Sequence, residues 1–277
     1  MKTFITRLKG VVNNDTLKKI GELRVKVSKM SNPTGENRVI ILNTQKPLTI
    51  TVNGDGYITD STLSENKGKI LSIPVGSSTF YVSNGDYTLS IPNKYYLTSF
   101  CSAKEQTFNR NDVQMELDDF KFCKLMTILK LNNSKVSGDI ASLKDLSALA
   151  SLNISNTQVS GDIASLKGLS ALASLNISNL NNLSGDLGKL PDSLLYVGGV
   201  NNSIFTWTDT SRRYILACEK LHCNNIDKML QDMSKLEAKF KNQWAKSINL
   251  VGSYTAASNA AIETLQSKGY TVSITPA

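Results

Sequence analysis

The sequence predicts an α/β solenoid of short parallel strands, with an irregular to helical convex side, joined to an N-terminal mainly-β module. Three observations lead there: a near-exact internal duplication, an apolar ladder that continues on both sides of it, and a change of pattern near residue 100. Gly138 to Ser155 reads GDIASLKDLSALASLNIS and Gly161 to Ser178 reads GDIASLKGLSALASLNIS, so 17 of 18 positions agree at an offset of 23 residues. Self-similarity at that period marks units that cannot bury their own apolar edge and must stack on a neighbour.

Residues 1–22 read as an N-terminal arm. Met1 to Gly21 is polar and basic, without the apolar run of a secretory signal, so the expectation is a flexible arm or one ordered by attachment to a partner. Residues 23–100 read as a β-rich, sandwich-like module. Short β-type runs at Leu23 to Val27, Arg38 to Leu42, Leu48 to Val52, Ile70 to Pro74, Thr79 to Val82 and Tyr87 to Ile91 alternate with turn signals at Asn32-Pro33-Thr34-Gly35, Asn53-Gly54-Asp55-Gly56, Gly76-Ser77-Ser78 and Asn84-Gly85-Asp86. That spacing favours an antiparallel sandwich or a small sheet. Tyr95, Tyr96, Leu97 and Phe100 then run into the next segment without a Gly or Ser linker, which predicts a rigid junction.

Residues 101–277 read as the solenoid with atypical end coils. Leu149, Leu152, Ile154 and Val159 fit the leucine-rich spacing L-x-x-L-x-L-x-x-N/C/T-x-L, with Thr157 at the polar position. Met126, Leu129, Leu131, Ser134 and Val136 repeat it before; Leu172, Leu175, Ile177 and Leu183 repeat it after, with one residue inserted near Asn181 and Asn182. Leu194, Val197, Asn202 and Ile204 keep the frame, although Gly199 stands where an apolar residue is expected. Degenerate coils flank these: Phe108, Val113, Leu117, Phe120 and Cys123 upstream, and short strands around Leu221, Ile248 to Leu250 and Val272 to Ile274 downstream. End coils that differ from the rest cover a core that would otherwise be open.

Within one coil the strand around Leu152 turns leucines inward and polar residues outward. The expected concave face is therefore small and polar: Ser151, Asn153, Ser155 and Asn156, then Ser174, Asn176, Ser178 and Asn179. It offers hydrogen bonds and little apolar area, which suits a glycan or a hydrated protein surface; the alternative is a solvated strand face with no ligand. Asp139, Asp162 and Asp186 recur once per coil and read as caps of the returning turns, in preference to a cation ladder.

From Arg212 to Lys246 eight basic residues stand against four acidic ones, while Lys124 to Ser211 balances at six against six. Ile226, Met229, Leu230, Met233 and Leu236 form a helical stripe, so an amphipathic helix over Ile226 to Lys239 is expected with Asn225 near its start. A second helix is expected from Ala256 to Lys268, stopped by Gly269, with a closing strand from Tyr270 to Ile274. The basic surplus reads either as a site for an anionic partner or as the solvated face of a capping helix.

The chain has 277 residues and a net charge of +8, but no aromatic interleaving among its lysines and arginines, so nucleic acid is not expected as a partner. No stretch approaches membrane-spanning length, and no membrane insertion is expected. Cys101, Cys123, Cys218 and Cys223 show no paired framework and read as free thiols. Cys218, His222 and Cys223 lie close together but fall short of the four ligands of structural zinc; Asn53-Gly54-Asp55-Gly56 lacks the acidic positions of a calcium loop and reads as a hairpin turn. With His222 the only histidine and no serine elbow, the expectation is no enzyme, no metal and no cofactor.

The run Leu152-Asn153-Ile154-Ser155-Asn156-Thr157-Gln158-Val159-Ser160-Gly161-Asp162-Ile163 resembles the leucine-rich repeat class with an SGxI turn, and the resemblance spans about residues 106–277. The ending (Ile248 to Gly252, Ala256 to Ala261, Lys268 to Val272), the opening Met1 to Gly10 and the block Gly54 to Ser61 are similar to leucine-rich repeat proteins encoded by gut anaerobes and by their phages or prophages. The resemblance implies an α/β leucine-rich repeat solenoid that binds a protein or glycan. It also implies a phage or prophage particle appendage with other virion proteins as further partners, located in the virion or the cytoplasm. The alternative is an intracellular bacterial protein–protein interaction scaffold.

Overall fold

The computed structural model describes residues 23–27, 38–45, 48–54, 57–60, 66–67, 70–73, 75–82, 87–91, 94–101, 113–202, 204–208, 210–240 and 246–276. The arm at residues 1–22, the turns at 32–35 and 84–86, Phe108 and Lys241 lie outside them.

Its dominant feature is a twelve-stranded, mostly parallel sheet with few helices, compatible with an α/β solenoid. The parallel part stacks β9 (Leu97–Cys101), β11 (Ile128–Lys130), β13 (Ser151–Asn153), β15 (Ser174–Asn176), β17 (Tyr196–Gly198), β18 (Ala217–His222), β19 (Ser247–Val251) and β20 (Thr271–Thr275). Register follows the apolar ladder: Phe100, Leu129, Leu152, Leu175, Val197 and Cys218 sit side by side and all are buried. Each fully buried leucine is worth roughly 1.5–3 kcal/mol over an exposed one, so the ladder itself supplies the stacking force.

The return path of each coil is short. A second parallel ladder joins β12 (Ser137–Asp139), β14 (Gln158–Asp162) and β16 (Leu183–Ser184). Beyond it, 3₁₀ turns begin at Ile140, Ile163 and Leu187, where the carboxylates of Asp139, Asp162 and Asp186 accept the N–H groups of Ala141, Ala164 and Gly188 at 2.8, 2.8 and 2.9 Å. The recurring aspartates are turn caps.

The N-terminal residues build antiparallel structure. One sheet orders β10 (Val113–Gln114), β1 (Leu23–Val27), β8 (Tyr87–Ile91), β3 (Leu48–Gly54) and β6 (Ile70–Ile73). The other strands, β2 (Arg38–Thr44), β7 (Gly76–Val82), β4 (Tyr57–Asp60) and β5 (Asn66–Lys67), continue the twelve-stranded sheet. The junction is β9, which pairs antiparallel with β2 on one side and parallel with β11 on the other. One strand thus straddles the boundary expected between residues 100 and 101. The segment around Asn53 to Gly56 does not close a hairpin, because β3 and β4 belong to different sheets. Gly76 to Ser78, expected as a turn, is the start of β7, paired with Leu42 to Thr44.

Two expectations in the later coils need correction. Ile204 is 65 % exposed and the neighbouring Phe205 is fully buried instead, its N–H donating to the His222 carbonyl at 3.0 Å. The space beside Gly199 is filled from the next coil by the Leu221 side chain, brought there where the β18–β19 register shifts between Cys218 and Leu221 and Lys220 takes φ 48°. Helix α1 (Ile226–Ser234) buries Ile226, Met229, Leu230 and Met233 but ends five residues short of Lys239. It ends there because Glu237 joins the stack, its N–H donating to Arg213 and its carbonyl accepting from Ile215. Asn225 stands at its start as expected, its carbonyl accepting the Met229 N–H at 2.9 Å, while its side chain donates to the Trp207 carbonyl at 2.9 Å. The second helix forms as a 3₁₀ turn (Ala256–Ser258), capped by Thr255, leading into α2 (Asn259–Ser267), and Gly269 at φ 88° closes it.

Candidate ligand-binding face

The outward face of the parallel strands carries two rows set by register. One runs Ser99, Ile128, Ser151, Ser174, Tyr196 and ends at Ala217, which is fully buried; the other runs Cys101, Lys130, Asn153, Asn176, Gly198, Glu219. Neighbouring strands lie about 4.8 Å apart, so Lys130 and Glu219, four strands apart, stand about 19 Å from each other along the face.

Of the eight residues expected on the concave side, Ser151, Asn153, Ser174 and Asn176 form a compact block on this face, all half-buried. The other four lie beyond the strand ends and have structural duties. Asn153 Oδ1 accepts from the N–H and Oγ of Ser155 at 3.1 and 2.8 Å, and Asn176 Oδ1 accepts from the Ser178 N–H at 3.0 Å. Ser178 Oγ in turn accepts the Val200 N–H at 3.2 Å. Asn156 and Asn179 are exposed corner residues in the left-handed region, at φ 54° and 58°, a conformation asparagine tolerates. Asn156 Nδ2 donates to Asn133 Oδ1, 23 residues earlier, at 2.9 Å.

Three face residues escape a coil-by-coil reading: Lys130, Tyr196 and Glu219. Their signal is positional, since Tyr196 precedes Val197 as Ser151 precedes Leu152 and Ser174 precedes Leu175. Tyr196 donates its phenol hydrogen to Glu219 Oε2 at 2.7 Å. Burial, then that hydrogen bond, raises the phenol above its usual range and keeps it neutral. Gly198 makes room for the Asn176 amide, because a Cβ there would lie 3.2 Å from the Asn176 amide carbon. The face therefore combines side-chain amides, serine hydroxyls, one aromatic ring and a carboxylate, a set that can form hydrogen bonds and stack.

Four of the described basic residues of the tail, Arg212, Arg213, Lys228 and Lys239, have partners within the chain. Arg212 is buried, and its guanidinium donates to the carbonyls of Leu190 (3.2 Å), Pro191 (2.8 Å) and Leu194. Arg213 pairs with Glu237 at 3.1 Å, Lys228 with Asp232 at 3.0 Å, and Lys239 lies 4.2 Å over the Tyr214 ring. Cys218 and Cys223 are buried, with Cys218 Sγ donating to the Asn249 carbonyl at 3.5 Å. Among the described residues no group of three His, Cys, Asp or Glu is placed to hold a metal ion, and no helix is long and apolar enough to cross a membrane. No family model matches the chain, and no curated protein matches it.

Proposed function

We propose that the chain is a leucine-rich repeat solenoid that works as a non-enzymatic binding and structural protein, a phage or prophage particle appendage whose outer strand face recognises a protein or glycan. The observation that supports this reading most is the in-register polar face, from Lys130 through Asn153 and Asn176 to the Tyr196–Glu219 pair. Its polar groups are carried on a rigid ladder, and rigid presentation lowers the entropic cost of binding. Tyrosine also supplies the kind of anchor that the serine and asparagine coils lack.

Mass spectrometry of gradient-purified particles from an induced culture of the source organism tests the appendage reading. Peptides from both halves of the chain at a fixed ratio to the major capsid protein support it. Their absence from complete particles, with the protein present in the lysate, favours an intracellular scaffold. Loss of adsorption of the purified chain to host cells on Tyr196→Ala and Asn176→Lys would tie the binding to this face.

A further inference from the structure

We propose that two copies of this chain join through β20, edge to edge and antiparallel, about a two-fold axis at Ser273. Among the described residues β20 is the outermost strand of the twelve-stranded sheet, paired only with β19. The opposite edge of the same sheet is blunted in the usual way: β5 has two residues, one of them Lys67. The β20 edge lacks that protection, with five residues, Thr271-Val272-Ser273-Ile274-Thr275, and no charge.

The occupant follows from the sequence of the edge. Read from either end, the strand is Thr, β-branched aliphatic, Ser, β-branched aliphatic, Thr. A two-fold interface needs a self-complementary surface, and an antiparallel pair centred on Ser273 sets Val272 against Ile274 and Thr271 against Thr275. Val272 and Ile274 already pack on the core side, while Thr271, Ser273 and Thr275 are exposed on the outer face. Pairing would extend both the core and the polar face across the axis.

Backbone chemistry selects the same register. The Thr275 carbonyl accepts from the Gly252 N–H at 2.9 Å, so Thr271, Ser273 and Thr275 point their backbone groups at β19, and Val272 and Ile274 point theirs outward. Centring on Ser273 lets the outward N–H and C=O groups of Val272 and Ile274 pair with those of Ile274 and Val272 in the second copy. A shift one way would require the Tyr270 N–H, which already donates to Leu265 at 3.1 Å. A shift the other way would require an N–H from Pro276, which has none.

Sedimentation velocity on the full chain, with Ser273→Lys and Ser273→Cys variants, tests this inference, which does not depend on what the outer face binds. The expected result is a dimer whose Kd rises about tenfold or more in Ser273→Lys, because two lysines meet at the axis, with circular dichroism unchanged. Opposed Cα atoms at a non-hydrogen-bonded site lie about 4.5 Å apart, so Ser273→Cys should cross-link the two copies on oxidation under conditions that leave the wild-type chain uncross-linked. A monomeric wild-type chain, or a dimer that persists in Ser273→Lys and does not cross-link in Ser273→Cys, would overturn it.

Discussion

The carboxylate of Asp139 occupies the space that a side chain at Gly161 would need. A Cβ there would lie 2.9 Å from Asp139 Cγ, and Gly161 has φ 108°. The next coil repeats the relationship between Asp162 and Gly185, at 3.2 Å and φ 126°. Each aspartate caps its own turn and also covers the glycine of the following coil, so the repeated Gly-Asp pair is a stacking device. Gly161→Ala should cost about 1–3 kcal/mol in urea unfolding, from backbone strain and overlap together. Gly76→Ala, at φ 107° with nothing within 4 Å, should cost less because only the strain applies. Equal losses would remove the aspartate from the account.

Phe100 ties the antiparallel strands to the parallel stack. It is fully buried in β9, its ring 5.5 Å from that of Phe120, and β9 pairs with strands on both sides of the junction. Phe100→Asp should destabilise by about 3–5 kcal/mol or more and lower the melting of both parts together in calorimetry. Two transitions with only one displaced would count against a shared structural unit.

Among the described residues Arg212 donates to three carbonyl groups and to no carboxylate. Burial brings its pKa down to about 10, still high enough for the charge to persist at neutral pH. Arg212→Met should lose about 2–4 kcal/mol in chemical denaturation, since the carbonyls at the Leu190 to Leu194 bend lose their donor. A loss under about 0.5 kcal/mol would show that water replaces the guanidinium at that bend.

Asp227 links α1 to the segment before α2. Its carboxylate accepts from Ser258 Oγ and from the N–H and Oγ1 of Thr255, and these bonds, Ser258 first, hold its pKa below 3.8. A carboxyl depressed in the folded state contributes stability that is complete above its unfolded pKa and is lost as pH falls through the folded value. Acidification below about pH 4 should therefore speed amide exchange at Thr255 and Ala257 before the core opens. A carbon-13 titration that returns an ordinary or raised Asp227 pKa would contradict the linkage.

Burial pushes the thiols of Cys123 and Cys218 up to about 12, and that of Cys223 upward as well. None should react with iodoacetamide in the native protein at pH 8, and all should react in denaturant, since the thiolate is the nucleophile. Native labelling of Cys218 mapped by mass spectrometry would mean that the stack opens between β18 and β19.

The duplication at Gly138 and Gly161 and the ladder through Leu129, Leu152 and Leu175 were enough to place the parallel strands, because a 23-residue period leaves one register that buries every leucine. The capping role of Asp139 was legible for the same reason, as was the apolar stripe of α1. Local pattern could not decide where helix 226–234 stops, since Leu236 still fits the stripe while Glu237 is held by Arg213, 24 residues back. Nor could it exchange Ile204 for Phe205, because Phe205 is set by pairing with His222 and Cys223 of the next coil. The outer face shows the same division. Ser151, Asn153, Ser174 and Asn176 follow from strand alternation, but their companions Lys130, Tyr196 and Glu219 are identified by register across coils. Periodic burial is encoded residue by residue along the chain; how a helix ends, which side chain fills a gap and which polar groups share a surface depend on neighbours more than twenty residues away, and only the tertiary structure decides them.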